Sequence, residues 1–138
     1  MDPSSVPPSC RGLHFLLVDD SPLQRATASG FLRRAGFRVT CVNDGNEAVA
    51  ALQKRDFDLV LMDVEMPVMD GLTATVEIRQ REALTYTYTP IVAFTCTADR
   101  DRCLAVGMDD FASKPLTAAD LEMIFRIVTH LQLRRLTG

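Results

Sequence analysis

Leu59-Val60-Leu61-Met62-Asp63-Val64-Glu65-Met66-Pro67-Val68-Met69-Asp70-Gly71 is the stretch that decides the fold. It opens as an unbroken apolar run, meets a carboxylate at Asp63, and closes through Met66-Pro67 and Asp70-Gly71. A run so short and so apolar, bounded by turn residues, reads as a strand buried on both faces. Asp63 then stands where that strand leaves the sheet. In an open parallel α/β sheet, ligands bind in the crevice outside the carboxyl ends of the strands. An aspartate after a strand is also an ordinary turn residue or helix cap. Asp63 therefore gains meaning only if other strands bring matching groups to the same edge.

Upstream, His14-Phe15-Leu16-Leu17-Val18 is a second apolar run, and it too ends in carboxylates, Asp19-Asp20. Ser21-Pro22 then signals a helix start, Ser as N-cap and Pro at the first helical position. Leu23, Ala26, Thr27, Gly30 and Phe31 recur at helical spacing, and Gly36 ends that helix behind a pair of arginines. Arg38 to Val42 is a short strand, Asn43-Asp44-Gly45 a turn, and Glu47 to Lys54 a helix with Ala48, Ala51 and Leu52 on one face. Downstream, Leu72 to about Glu82 is a helix, and Ala83 to Thr89 has no firm period and reads as loop. Ile91-Val92-Ala93-Phe94 is a strand ending in Thr95. Asp99 to Val106 is a short helix closed by Gly107, and Asp110 to Ser113 is a strand ending in Lys114-Pro115. Thr117 or Ala118 caps a last helix carrying a stripe of Leu121, Ile124, Phe125, Val128 and Leu131. Five alternations of strand and helix imply right-handed crossovers, a parallel sheet and helices on both faces.

The chain has 138 residues, 47% hydrophobic and 24% charged, which suits one soluble domain with a full core and no second domain. A net charge of −3 argues against direct nucleic-acid binding, which needs clustered Lys and Arg. Cys10, Cys41, Cys96 and Cys103 form no C-x-x-C pair and no zinc spacing. Cys41 and Cys96 fall in strand segments, which predicts free buried thiols in a reducing compartment, the cytoplasm. No apolar run is long enough to insert in a bilayer. The Pro- and Ser-rich start lacks the basic-then-apolar order of a secretory signal, so residues 1–12 are expected to be a flexible lead.

Four strand ends thus deliver Asp19-Asp20, Asp63, Thr95 and Lys114 to one edge. Clustered carboxylates repel and call for a cation, and hard oxygen donors on loops favour Mg²⁺ beside a substrate phosphate. A hydroxyl and an ammonium can hold phosphoryl oxygens. The chemistry such a site favours is attack on phosphorus by a carboxylate, giving an aspartyl-phosphate.

The pieces Leu17-Val18-Asp19-Asp20-Ser21, Leu61 through Gly71, Phe94-Thr95 and Gly107 through Pro115 together resemble a response-regulator receiver domain of two-component or phosphorelay signalling, over about residues 13 to 132. Their wording is most similar to receivers of hybrid histidine kinases. The resemblance implies a flavodoxin-like (CheY-like) doubly wound five-stranded parallel sheet of order 2-1-3-4-5, with the receiver occupying residues 13–138. It implies that Asp63 is the phosphoacceptor and that Asp19, Asp20, Asp63 and the carbonyl of Glu65 hold Mg²⁺. Thr95 would be the switch hydroxyl, Phe111 the aromatic that changes rotamer with it, and Lys114 the contact to the phosphorylated carboxylate, with a cis Lys114-Pro115 bond. The donor would be a histidine kinase or a histidine phosphotransfer protein docking near the first helix. The reader would be a downstream effector protein or domain, meeting the surface of the fourth helix, fifth strand and fifth helix. The chain would be a signalling module, catalytic only toward its own phosphorylation and dephosphorylation.

Three positions depart from or refine the family pattern. Cys96 follows Thr95 where the family usually has Ala or Gly, which would tighten phosphoryl access. Glu65 and Thr97 stand two residues beyond Asp63 and Thr95, where in the family the positions flank the line of the hydrolysing water, and they are expected to tune phosphoryl lifetime. The rival class is a Mg²⁺-dependent haloacid-dehalogenase-like phosphatase. Those enzymes usually carry a second Asp two residues after the nucleophile, where this chain has Glu65, and this sequence offers no cap domain. His14, His130, Met62, Met66, Met69, Arg33-Arg34 and Arg134-Arg135 are expected to be packing or solvated residues.

Overall fold

A computed structural model describes residues 12–66, 69–96 and 99–137, with side chains through residue 131. The expected lead therefore lies, apart from Gly12, outside the described residues, as do Thr97 and the side chains of Arg134 and Arg135. The elements run β1 (His14–Val18), α1 (Pro22–Arg34), β2 (Arg38–Val42), α2 (Gly45–Lys54), β3 (Leu59–Met62), α3 (Gly71–Thr85), β4 (Ile91–Thr95), α4 (Arg100–Ala105), β5 (Asp110–Ser113) and α5 (Ala118–Thr137). All four strand pairings are parallel, in the order β2-β1-β3-β4-β5.

The unbroken apolar runs are explained by the two cores that flank the sheet. Alternate strand residues point to opposite faces. Phe15, Leu17, Leu59, Leu61, Val92 and Phe94 join Leu32 of α1 and Leu121, Ile124 and Val128 of α5. Leu16, Val18, Val60, Met62, Ile91 and Ala93 join Ala48 and Val49 of α2, Leu72 and Ile78 of α3, and Cys103 of α4. Every residue of β3 is fully buried. Helix starts are set by side-chain caps. The Ser21 hydroxyl accepts from the Gln24 N–H at 3.3 Å, and Asp44 and Asp70 accept from the N–H groups of Glu47 and Thr73 at 2.8 Å each. Thr117 and Asp120 cap α5 reciprocally, each side chain accepting the other's N–H.

Three expectations are corrected. In α1 the buried residues are Ala28, Ser29 and Leu32, while Leu23 is 77% exposed and Ala26 and Thr27 face solvent. Leu32 and the small Ala28 and Ser29 form the inner face, with Phe31 packed beside them, and Leu23 lies off it. Helix α3 continues through Thr85 and stops at Tyr86, a left-handed C-cap with φ 57°, so part of the expected loop is helix. Among the described cysteines, Cys41 and Cys96 are exposed and Cys103 is buried, and Cys10 lies outside the described residues. Cys41 sits on the edge strand β2, and Cys96 lies one residue past β4. Burial, with the charge of Asp99 next, pushes the Cys103 thiol up from its usual range. His14 is a packing residue, its ring tilted on Phe57 and its Nε2 2.6 Å from the Thr40 hydroxyl.

Candidate functional site

The parallel register sets Val18 beside Met62, so the residues that follow, Asp19 and Asp63, leave the sheet together. The ladder runs one step beyond the strands. The Asp63 N–H donates to Val18 O at 2.9 Å, and the Asp19 N–H donates to Val42 O at 3.2 Å. Both aspartates are consequently held by the sheet itself, and both are buried, while Asp20 is exposed. On the other side of β3, Thr95 ends β4 in register with Ser113 of β5, and the Lys114 N–H donates to Thr95 O at 3.4 Å. Thr95 is buried and Phe111 half-buried against the α2–α3 side of the core. The Lys114-Pro115 bond is cis, as expected.

Lys114 closes the group. Its Nζ lies 2.5 Å from Asp19 Oδ2 and 3.2 Å from Asp63 Oδ2. The remaining oxygens take backbone donors. Asp19 Oδ1 accepts from the Ser21 N–H at 2.9 Å, and Asp63 Oδ1 accepts from the Glu65 N–H at 3.1 Å. Ligand oxygens of Asp19, Asp20 and Asp63 all lie within 4.8 Å of one another. Burial raises the Asp63 carboxyl above the usual carboxylate range, and the Asp19 charge adds to this against the opposing pull of Lys114. Burial alone would lower Lys114. The hydrogen bond from its ammonium to Asp19 and the charges of Asp63 and Asp19 outweigh it and raise the ammonium above its ordinary value. Three carboxylates against one ammonium leave a surplus of negative charge, and these hard oxygen donors fit Mg²⁺.

The loop after Asp63 is shaped by a missing side chain. A Cβ on Gly71 would sit 2.1 Å from the Asp63 carbonyl oxygen and 2.9 Å from Met62 Cγ. The Gly71 N–H donates to Val64 O at 3.0 Å, folding α3 back against the strand end that carries Asp63. Asp19, Asp20, Asp63, Thr95 and Lys114 are thus brought to one edge, and Glu65 follows as an exposed residue whose N–H serves Asp63.

Two groups were not singled out from sequence. Arg25 in the second turn of α1 reaches back to the site loop, its Nη1 donating to Asp19 O at 2.7 Å. At the opposite edge of the sheet, Arg79 gathers Glu82, Tyr88, Thr89, Gly107 and Asp109. A basic residue shortly after the acidic pair could have marked Arg25. The Arg79 partners come from three separate loops and helices and leave no local pattern.

Residues 15–126 match the family model for the response regulator receiver domain. Transcription factor SKN7 of Saccharomyces cerevisiae is 41% identical over 117 residues, covering 83% of this chain and 18% of that protein. The receiver domain of sensor histidine kinase PA1611 from Pseudomonas aeruginosa PAO1, with a magnesium ion coordinated in its active-site cleft, matches at TM-score 0.76 and 38% identity. That match covers 86% of this chain and 98% of the other. A chain in the co-crystal structure of the S. cerevisiae histidine phosphotransfer signaling protein Ypd1 and the receiver domain of its downstream response regulator Ssk1 matches at TM-score 0.72 and 25% identity. It covers 81% of this chain and 85% of that one. The present chain spans under a fifth of the length of the curated relatives it matches first. No helix among the described residues is long and apolar enough to cross a membrane.

Proposed function

The chain belongs to the response regulator receiver family of two-component and phosphorelay proteins, and from that premise we propose that Asp63 accepts a phosphoryl group from a phosphohistidine. The observation that carries this is the Lys114 ammonium bridging two buried aspartates in a three-carboxylate cluster. The step balances simply. An Asp63 carboxylate oxygen bonds to phosphorus, the P–N bond breaks, and the electron pair returns to the imidazole of the donor. Residues Asp19, Asp20 and Asp63 and the Glu65 carbonyl would hold Mg²⁺, which supplies charge neutralisation between the carboxylates and the phosphoryl oxygens. Lys114 donates to one phosphoryl oxygen as a point charge. The Thr95 hydroxyl donates to another once it moves toward the new group.

Phosphorylation replaces one negative charge with about two and adds three acceptor oxygens. Thr95 and Lys114 satisfy those acceptors by shifting inward, and the half-buried Phe111 follows into the space released. The surface of α4, β5 and α5 then changes for a downstream effector. This is a two-state equilibrium biased by local charge. Residues 13–138 form the working unit, and the donor, a histidine kinase or histidine phosphotransfer protein, approaches beside α1. There Leu23 stands exposed in the first turn after the Asp19-Asp20 loop. Glu65 and Thr97 tune the lifetime of the phosphoryl group, and exposed Cys96 narrows the approach to it. A place in a hybrid kinase or in a response regulator accounts equally for a chain that matches a part of its relatives.

The test is intact mass after incubation with Mg²⁺ and acetyl phosphate, wild type beside Asp63→Asn. One added phosphoryl group, labile to hydroxylamine and absent from the variant, is expected. Equal labelling of the Asn variant would move the acceptor elsewhere.

A further inference from the structure

Asp19 is pinned at four points. Its N–H donates to Val42 O, its Oδ1 accepts from the Ser21 N–H, its Oδ2 accepts from Lys114, and its carbonyl accepts from Arg25. The first two bonds come from the chain's own backbone and the third from inside the site. The fourth comes from a long side chain sent back six residues from α1, at 2.7 Å. Arg25 is half-buried, and among the described residues it forms no ion pair within 4 Å. Its guanidinium is spent on a main-chain carbonyl, at the bend between the buried Asp19 and the exposed Asp20.

We infer that Arg25 is a positioning residue for the cation site, fixing the β1–α1 bend so that Asp19 and Asp20 present their oxygens together toward Asp63. This rests on the assignment of those three aspartates as Mg²⁺ ligands. Partners that orient metal ligands from outside typically contribute 10–100-fold in affinity when removed. Orientation and charge make opposite predictions here. As a bare positive charge near the site, Arg25 repels Mg²⁺, and its removal tightens binding. As an orienting donor, its removal weakens binding even when the charge is kept, because a lysine ammonium lacks the planar fork that reaches the carbonyl.

The experiment is a Mg²⁺ titration of the phosphate-free protein followed by backbone amide NMR shifts, with thermal midpoints measured in parallel. Wild type is compared with Arg25→Met, Arg25→Lys, Asp20→Asn and Arg33→Met. Arg33 is the internal control. It sits on the same helix and donates to a backbone carbonyl, Val39 O at 3.1 Å, away from the carboxylates. Arg25→Met is expected to weaken Mg²⁺ about tenfold and Arg25→Lys less, while Arg33→Met binds as wild type does. Tighter binding by Arg25→Met, with Arg25→Lys unchanged, overturns positioning in favour of plain electrostatics. Wild-type affinity in both Arg25 variants, with Asp20→Asn defective, overturns this inference alone. Wild type failing to bind, or Asp20→Asn binding as wild type does, overturns the cation site and the inference with it. Should Arg25→Met not fold, the contrast between Arg25→Lys and Arg33→Met still decides.

Discussion

The two ends of the sheet carry similar residues in opposite states of completion. At the amino-terminal edge, Arg79 donates to Glu82 at 2.5 Å, to Asp109 at 2.9 Å and to the carbonyls of Gly107 and Thr89, and its guanidinium lies 4.2 Å from the Tyr88 ring centre. Asp109 also accepts from the Ile91 N–H and the Tyr88 hydroxyl, and Glu82 from the Thr89 N–H. Burial first, and then the bond to Asp109, pushes the Tyr88 phenol up to about 12. At the carboxyl edge one ammonium serves two buried aspartates, and Asp20 has no side-chain partner among the described residues. The first cluster is a satisfied network, which rigidifies what it touches. The second is left short of positive charge, and burial first, with the Asp19 charge adding to it against the pull of Lys114, raises the Asp63 carboxyl. The complete cluster serves the fold, and the deficient one is the place where a cation is proposed to bind.

The largest expected effect comes from crowding the carboxyl edge. Gly71→Ala drives a Cβ into the Asp63 carbonyl, backbone that cannot swing aside, and is expected to cost about 3 kcal/mol by chemical denaturation. A loss within experimental error would mean that the loop relaxes freely.

Removing the cation at each end comes next. Arg79→Met leaves Glu82 and Asp109 without their partner and is expected to cost about 2 kcal/mol whether or not Mg²⁺ is present. Lys114→Met costs a similar amount in chelator, because Asp19 and Asp63 then repel unopposed. Here Mg²⁺ restores stability, and at ten times its dissociation constant it adds about 1.4 kcal/mol. Rescue of Arg79→Met by Mg²⁺, or none of Lys114→Met, would erase the contrast between the ends.

A smaller effect has the opposite sign. The folded state raises the Asp63 carboxyl, so at neutral pH its charge works against the fold. Asp63→Asn is therefore expected to stabilise the metal-free protein at pH 7, on the order of 1 kcal/mol. Because the folded value exceeds the unfolded one, the wild type recovers that difference as pH falls through the folded value toward 3.8, and the two denaturation curves converge. A variant less stable than wild type at pH 7 would show that the Lys114 attraction dominates.

The smallest is Tyr88→Phe, which removes one bond from a redundant network and is expected to cost less than about 1 kcal/mol. The tyrosinate absorbance missing from this variant should be the component that titrates near 12. A missing component near 10 would place the phenol in open solvent.

The carboxyl edge was legible in the sequence because strand ends announce themselves. Apolar runs stop at Asp19, Asp63 and Thr95, a short mixed strand ends before Lys114-Pro115, and parallel topology places all strand ends together. The helical faces were less legible. In α1 the helical spacing took in exposed Leu23 together with core-packed Phe31, while the buried residues are Ala28, Ser29 and Leu32. In α3, Ala83, Leu84 and Thr85 carry no stripe because all three are exposed. The thiols misled for a similar reason, as membership of a strand says little about burial at a sheet edge or one residue past a strand's end. The Arg79 network was invisible, its partners lying up to 30 residues away and meeting only after the chain has folded.

The bond from Lys114 to Asp19 spans 95 residues of sequence. Asp63 lies between them, and Thr95 shortly before the lysine. The reactive group therefore exists only after β1, β3, β4 and β5 have found their register. A nascent chain still lacking β5, or one whose fifth strand has come loose, carries every aspartate and cannot assemble their counterion. On the proposed assignment of Asp63, competence to take up phosphate would report on global folding, and only molecules that have finished folding would pass a signal on.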